Sequence, residues 1–410
     1  MKDTTRQLAV LVLGMFFLTL GFSIIMPILP YYSQKMGASA LDLGLLMASY
    51  SVMQLIVTPF WGDMSDRIGR KPIFLIGLFG YGFSFIIYGF ASQLWMLFAA
   101  RMIGGALSGS IYPASLAYIA DITEHEERGQ AMGLLGASSS LGMIFGPSIS
   151  GVLSIWGLTV PFFATAAFAL AFGVLGYFLL EESRSVDVHH PVRSERASLL
   201  APLRTPLAIL FILTLVVTFL ISGFQGMFAY YMMGRFGLAD SPSPMPVLDT
   251  MLTLTGPEAV AILFTVMGIA GVLCQGFLVG HFIGSMGEIK TILMGMATSA
   301  VAFFLLIVSD ELFTVLLFSS MMVVGTGLAT PCLNSLVSKN SDEEHQGAAL
   351  GVLGSYGAMG RIVGAPAAGL AFDINIYLPY VISGVVSLLG AASMSVAMKK
   401  TNKKKADNSR

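Results

Sequence analysis

Twelve runs of about twenty mostly apolar residues recur along this 410-residue chain, and no other feature restricts its fold so strongly. They fall at 8–30, 42–61, 72–91, 94–120, 129–155, 160–180, 204–233, 257–284, 288–308, 311–338, 347–372 and 374–398. An α-helix rises about 1.5 Å per residue, so twenty residues cross roughly 30 Å of hydrocarbon. The longer runs are expected to tilt or to project beyond the bilayer. Only 11% of residues are charged, against about 25% in a typical soluble domain, and 55% are hydrophobic. So little charge cannot cover a water-facing surface of this size. The expected class is therefore an all-α integral membrane protein with twelve transmembrane helices. The first run is too long for a cleavable leader, and Met26-Pro27-Ile28-Leu29-Pro30 follows where small residues would mark a cleavage site.

Lysine and arginine predict the orientation. With the N-terminus inside and twelve spans, 18 of the 22 basic residues fall inside, from Lys2 and Arg6 through Arg67, Arg70, Lys71 and Arg128 to the Lys399–Arg410 tail. Only Lys35 and Arg235 fall outside, and Arg101 and Arg361 lie within spans. Both termini are thus expected to be cytoplasmic. The basic tail, 399–410, is expected to be disordered and to serve as a topology anchor beside anionic lipid. Cys274 and Cys332, the only cysteines, sit inside spans without metal-ligand spacing. They are read as packing residues, and no metal site is expected.

The chain repeats itself. A constant offset of 218 residues pairs Gly62 with Gly280, Gly69 with Gly287, Gly109 with Gly327 and Pro113 with Pro331. The same offset pairs Gly129, Gly133, Gly136, Gly142 and Gly146 with Gly347, Gly351, Gly354, Gly360 and Gly364. Single glycine matches mean little; one register held over about 85 residues indicates duplication. Six spans return the chain to its starting side, so the halves are parallel repeats about an axis along the membrane normal. The organisation expected is 1–180 as the first six-helix half, 181–203 as a charged cytoplasmic linker, 204–398 as the second half, and 399–410 as the tail. His189-His190-Pro191 is read as solvated linker, and the proline-rich outer segment 234–256 as irregular.

After the second span the sequence reads Gly62-Asp63-Met64-Ser65-Asp66-Arg67-Ile68-Gly69-Arg70-Lys71. Its glycines allow a tight turn, and its acids and bases can pair with each other or with helix termini. This loop resembles the signature of the major facilitator superfamily. Span 5 carries Gly133, Gly142, Gly146, Pro147, Ser150 and Gly151, which resembles the superfamily's antiporter motif, with Ser150 where a glycine is usual. Arg101 in Leu97-Phe98-Ala99-Ala100-Arg101-Met102-Ile103-Gly104-Gly105 resembles a third family motif, linked to proton coupling. Together these features resemble the drug:proton antiporter branch, the quinolone and multidrug efflux pumps. The resemblance implies a gating latch of Gly62, Asp66, Arg67, Gly69, Arg70 and Lys71. In it Asp66 approaches the start of span 11 near Gly347, and Arg70 pairs with Asp121. It also implies proton coupling through Arg101, Asp121 and Asp66.

The likeness breaks inside the spans. Gln225 and Gly327 stand where a related pump has Glu and Asp, and all 23 acids are expected in loops or at span ends. Asp42 and Glu258 are weaker proton candidates at outer ends. Arg361 instead lies deep in span 11, where a charge must line an aqueous cavity or find a partner. It points to recognition of a carboxylate or another anionic group. Gln225, Tyr112, Phe145, Phe224, Met227, Tyr230 and Tyr356 are candidates for an adaptable substrate cavity, beside the alternative that each is packing. The function expected is secondary export of amphiphilic small molecules, driven by the proton gradient and needing no cofactor. Runners-up are a dedicated exporter of an acidic metabolite or metal chelator, an uptake symporter and a lipid flippase. No phosphate-binding loop or catalytic constellation argues for an enzyme. The expected partners are a small-molecule substrate, protons and membrane lipid, without nucleic acid. A monomer in a bacterial-type inner membrane is expected.

Overall fold

In the computed structural model, residues 2–183, 205, 207–247, 250–341 and 346–408 are described. The linker residues 184–203, with His189-His190-Pro191, lie outside them. The described chain is helical almost throughout. Its first part comprises α1 (Lys2–Gln34), α2 (Ala40–Ile68), α3 (Arg70–Phe90), α4 (Leu94–Ser108), α5 (Ile111–Ile122), α6 (His125–Ser154) and α7 (Val160–Leu179). The second comprises α8 (Ala208–Phe236), strands β1 (Ser243–Val247) and β2 (Thr250–Leu254), α9 (Gly256–Leu273), α10 (Val279–Met286), α11 (Glu288–Ile307), α12 (Leu312–Lys339), α13 (Gln346–Ile374) and α14 (Leu378–Asn408). Among the described residues, eleven stretches are long and apolar enough to cross a membrane. The twelfth long stretch is α13, whose apolarity Arg361, Asp373 and several glycines reduce.

Two compact units result. One is Met1–Val192 with Ala239–Ser241 and Thr255–Thr265; the other is Arg193–Leu238 with Pro242–Leu254 and Val266–Arg410. Within the first, α1 packs on α6, and α3 on α4 and α7. Within the second, α8 packs on α13, and α11 on α12 and α14. These pairings correspond between the two units, as duplication requires.

Small residues set the closest approaches, because lipid tails supply no hydrophobic drive for helices to associate and dispersion must do so. A Cβ at Gly142 would lie 2.2 Å from Thr19 Oγ1 and 2.6 Å from the Phe16 carbonyl oxygen. The second unit repeats this contact: a Cβ at Gly360 would lie 2.1 Å from Thr218 Oγ1 and 2.3 Å from the Leu215 carbonyl oxygen. Thr19 and Thr218 are 199 residues apart, whereas Gly142 and Gly360 are 218 apart. The 19 extra residues of the second repeat therefore enter between these positions, and β1–β2 lies in that interval.

Several expectations need correction. Span 4 is not one helix: a turn at Gly109-Ser110 separates α4 from α5. Pro113 cannot donate to the Gly109 carbonyl four residues earlier, and Thr58 Oγ1 approaches that oxygen at 3.5 Å. Span 8 contains a π-helical turn, Cys274–Leu278, between α9 and α10. The outer segment is not irregular, because β1 and β2 pair antiparallel, Pro244 opposite Thr253 and Pro246 opposite Met251. Prolines two apart share one parity, so both can turn their nitrogens away from the partner strand. The basic tail is not irregular either: α14 continues to Asn408, as its lysines and alanine favour. The signature loop is mostly helix. Gly62 lies inside α2 with no described atom within 4 Å of a Cβ placed there, and only Gly69 makes the turn.

Candidate functional site

The best-defined polar site lies where α2 ends and α3 begins. Gly69 links them with φ 108° and ψ 163°, a conformation almost restricted to glycine. The turn aims Arg70 at two acids. Its Nη1 donates to Asp66 at 2.5 Å and its Nε to Asp121, on the last turn of α5, at 3.2 Å. The Arg70 side chain is only 15% exposed, so screening of this network is partial. The pairing of Arg70 with Asp121 inferred from the motif is thus present. Arg67 is exposed, and Lys71 Nζ lies 5.2 Å from the centre of the Tyr177 ring. Residues 342–345, just before Gly347, lie outside the described residues, and the contact expected for Asp66 near Gly347 is not among those described.

Residues just beyond α7, which are not among the site residues expected from the sequence, complete this site. Glu182 accepts from the backbone N–H of Arg70 at 2.8 Å and of Lys71 at 3.3 Å. Ser183 Oγ donates to Asp121 at 3.0 Å, Arg6 pairs with Glu181 at 3.1 Å, and the Tyr118 hydroxyl donates to the Glu181 carbonyl. A Cβ on residue 69 would lie 2.3 Å from Glu182 Oε2, so glycine is needed there for room as well as for φ. Two acids directly after an apolar run, opposite a basic loop, were the available signal.

Arg101 lies elsewhere in the same unit, on α4. It is 2% exposed, enclosed by the protein's own side chains. Nη2 donates to Met47 Sδ at 2.7 Å, and the guanidinium sits 5.4 Å from the Tyr50 ring centre and 5.9 Å from that of Phe22. Tyr81, Ser84 and Tyr88 share its narrow crevice. Nε finds no hydrogen-bond partner among the described residues, and no described acid pairs with the group. Such a charge is costly in a low-dielectric interior and only partly compensated by the ring faces.

The antiporter-motif residues separate by role. Gly142 and Gly146 seat α6 on α1, Ser150 Oγ donates to the Ile24 carbonyl at 2.7 Å, and Pro147 lies inside α6. Gly151 faces Ala261, in the Thr255–Thr265 segment of the same compact unit. Gly133 is exposed, with no described atom within 4 Å of a Cβ placed there. Of the cavity candidates, Tyr112 and Phe145 are exposed, and Gln225 and Arg361 are half-buried. The Arg361 carbonyl accepts from Ser222 Oγ at 3.0 Å. Phe224, Met227, Tyr230 and Tyr356 are buried in the second unit: Phe224 packs on Phe228, and Tyr356 on Phe211. Asp42 and Glu258 cap helix starts, accepting from the backbone N–H of Ser39 and Thr255. Every described helical acid lies within about two turns of a helix end.

A duplicated all-helical membrane bundle with this ion-pair loop defines a transporter class. The sequence profile of the Major Facilitator Superfamily matches residues 11–255 and 239–410, and the chain belongs to that family. It is 30% identical to Multidrug resistance protein 2 of Bacillus subtilis over 96% of this chain and 95% of that one. It is 28% identical to the Quinolone resistance protein NorA of Staphylococcus aureus over 98% and 99%. The crystal structure of a bacterial homolog of the human lysosomal transporter Spinster superposes with a TM-score of 0.78, at 14% identity over 98% of both chains. The last likeness concerns fold alone.

Proposed function

We propose that this chain exports amphiphilic small molecules across a bacterial-type inner membrane, driven by inward proton flow and working by alternating access, with both termini cytoplasmic. The assembled Asp66–Arg70–Asp121 network is the observation that carries this reading, since it is a compact group of charges able to hold one conformation and release another. The drug-resistance relatives support the substrate class. Arg101, Asp121 and Asp66 are the proposed proton-coupling residues; a proton gradient replaces any cofactor. The experiment is dye and drug uptake into inverted membrane vesicles from an overexpressing strain. Uptake should collapse on adding a protonophore and should not respond to ATP. ATP-dependent uptake that survives the protonophore would reject proton-driven export.

A second reading, export of an acidic metabolite or chelator, is favoured by Arg361, which lies near the middle of α13 while every described helical acid keeps to the ends. On this reading Arg361→Ala and Arg361→Lys reduce efflux of carboxylate-bearing compounds by roughly tenfold, because lysine cannot reproduce a two-point guanidinium–carboxylate contact. Neutral compounds should change by less than about threefold. Equal losses in paired efflux assays would remove the anion-recognition role.

A further inference from the structure

The 218-residue register carries Arg70 onto Glu288 and Asp121 onto Lys339. These two residues also form an ion pair, in the second unit: Lys339 Nζ meets Glu288 Oε1, and Ser335 Oγ donates to the same oxygen at 3.3 Å. The turns before them match. Gly287 has φ 80° and ψ 164°, against 108° and 163° at Gly69, and the Gly69 and Gly287 N–H groups bond to Ser65 O and Ile283 O, themselves 218 apart. Even the burial corresponds: Glu288 is 16% exposed and Arg70 15%. The duplicated site has thus kept its place and its pairing and has exchanged its signs.

Sign matters here because all four residues sit at helix ends. A helix N-terminus carries partial positive charge and a C-terminus partial negative charge. Glu288 opens α11 and Lys339 closes α12, so both charges lie along the fields of their own helices. Arg70 opens α3 and Asp121 sits one residue from the end of α5, so both oppose theirs. The α3 first turn contains no acid of its own. Its negative charge arrives from outside the helix, as the Glu182 carboxylate on the N–H groups of Arg70 and Lys71. Glu182 lies two residues before the linker residues 184–203 in the sequence.

We propose that the two pairs have opposite duties: Glu288–Lys339 is a self-sufficient clasp, and Arg70–Asp121 is a poised switch held closed by Glu182 as a positioning residue. Withdrawing Glu182 leaves the first-unit pair opposing both helix fields with only Asp66, on the Arg70 side chain, to compensate and no acid on the α3 N–H groups, whereas among the described residues the second-unit pair draws on nothing beyond α11 and α12. The switching role depends on the export proposed above. The local asymmetry does not, and amide exchange reads it whether or not the chain transports.

The test is hydrogen exchange of the full-length protein in detergent, read at the first turns of α3 and α11. Glu182→Gln should speed exchange of the Arg70 and Lys71 amides about tenfold and leave α11 unchanged, the scale of a lost charged cap. Glu182→Asp, which keeps the charge, should fall between. The exchanged pair Glu288→Lys with Lys339→Glu keeps an ion pair but turns it against both fields, and should speed exchange at the α11 start about tenfold. If that double variant does not fold, Lys339→Gln serves: Glu288 retains its favourable field, and acceleration should stay under about threefold. An unchanged α3 terminus in Glu182→Gln, an equal response at α3 and α11, a silent double exchange, or tenfold acceleration in Lys339→Gln would each overturn the proposal.

Discussion

Gly146→Val is expected to abolish transport and to lower the melting temperature, and Gly364→Val to do the same from the second unit. A Cβ at Gly146 would lie 1.8 Å from Ser23 Oγ and 2.7 Å from the Leu20 carbonyl oxygen; at Gly364 it would lie 2.5 Å from the Phe219 carbonyl oxygen and 2.9 Å from its Cα. Ser23 Oγ can rotate away, but the Leu20 carbonyl oxygen and the Phe219 atoms are backbone, so no side-chain rotation clears either site and the helices must part. Overpacking of this kind costs about 1–3 kcal/mol. Parting α1 from α6 also strains the Ser23–Gly142 and Ser150–Ile24 hydrogen bonds that cross the seam. Gly133→Ala and Gly351→Ala are the internal controls, since neither new Cβ meets a described atom within 4 Å. Both should leave the melting temperature unchanged or raise it slightly, as alanine favours a helix over glycine by up to ~1 kcal/mol. Thermal unfolding in detergent beside vesicle uptake reads all four. Equal damage from Gly133→Ala and Gly146→Val would show that close packing is not what this motif supplies.

Arg101→Met should separate stability from function in the opposite sense. The guanidinium is fully buried, has no described carboxylate partner and leaves Nε unsatisfied. Methionine fills similar length beside Met47, Tyr50 and Phe22 without a charge to desolvate. Replacing buried ionic groups with apolar ones of like volume often stabilises by about 1–4 kcal/mol, and the lost cation–π contacts return roughly 0.5–2 of that. A melting temperature unchanged or a few degrees higher is therefore expected, together with at least a hundredfold loss of proton-driven uptake. Arg101→Ala, which leaves a void among the same rings, should lose both uptake and stability. Retention of transport in Arg101→Met would make Arg101 a packing residue, and a large drop in its melting temperature would mean that the charge has a partner that stabilises it.

The loop and the spans differed in how openly the sequence displayed them. The pairing of Arg70 with Asp121 is legible in the sequence, because a family motif joins them. Glu288 and Lys339 were equally within reach, since the offset that matched the glycines also connects them to Arg70 and Asp121. Their reversed signs concealed the correspondence, as a search for like residues passes over an exchanged ion pair. Glu182 was hidden for a different reason. Nothing in a linear sequence tells which of two adjacent acids, Glu181 or Glu182, turns toward a helix start more than a hundred residues earlier.

By itself the sequence determined the membrane as solvent, the helical class, the duplication and the location of the charged turn. These follow from apolar run length, scarcity of charge and a constant register, all of them properties of neighbouring residues along the chain. Tertiary structure alone decided which glycines are contacts and which face open space, that Gly109 and Pro113 break one span while Pro331 leaves α12 whole, and that Arg101 is enclosed by rings. It also decided that prolines 244 and 246 sit in a ribbon. Each of these depends on which atoms from distant helices come within about 4 Å, and in a bilayer it is that close packing and the satisfaction of each freed carbonyl that select one arrangement from the many an apolar helix could adopt.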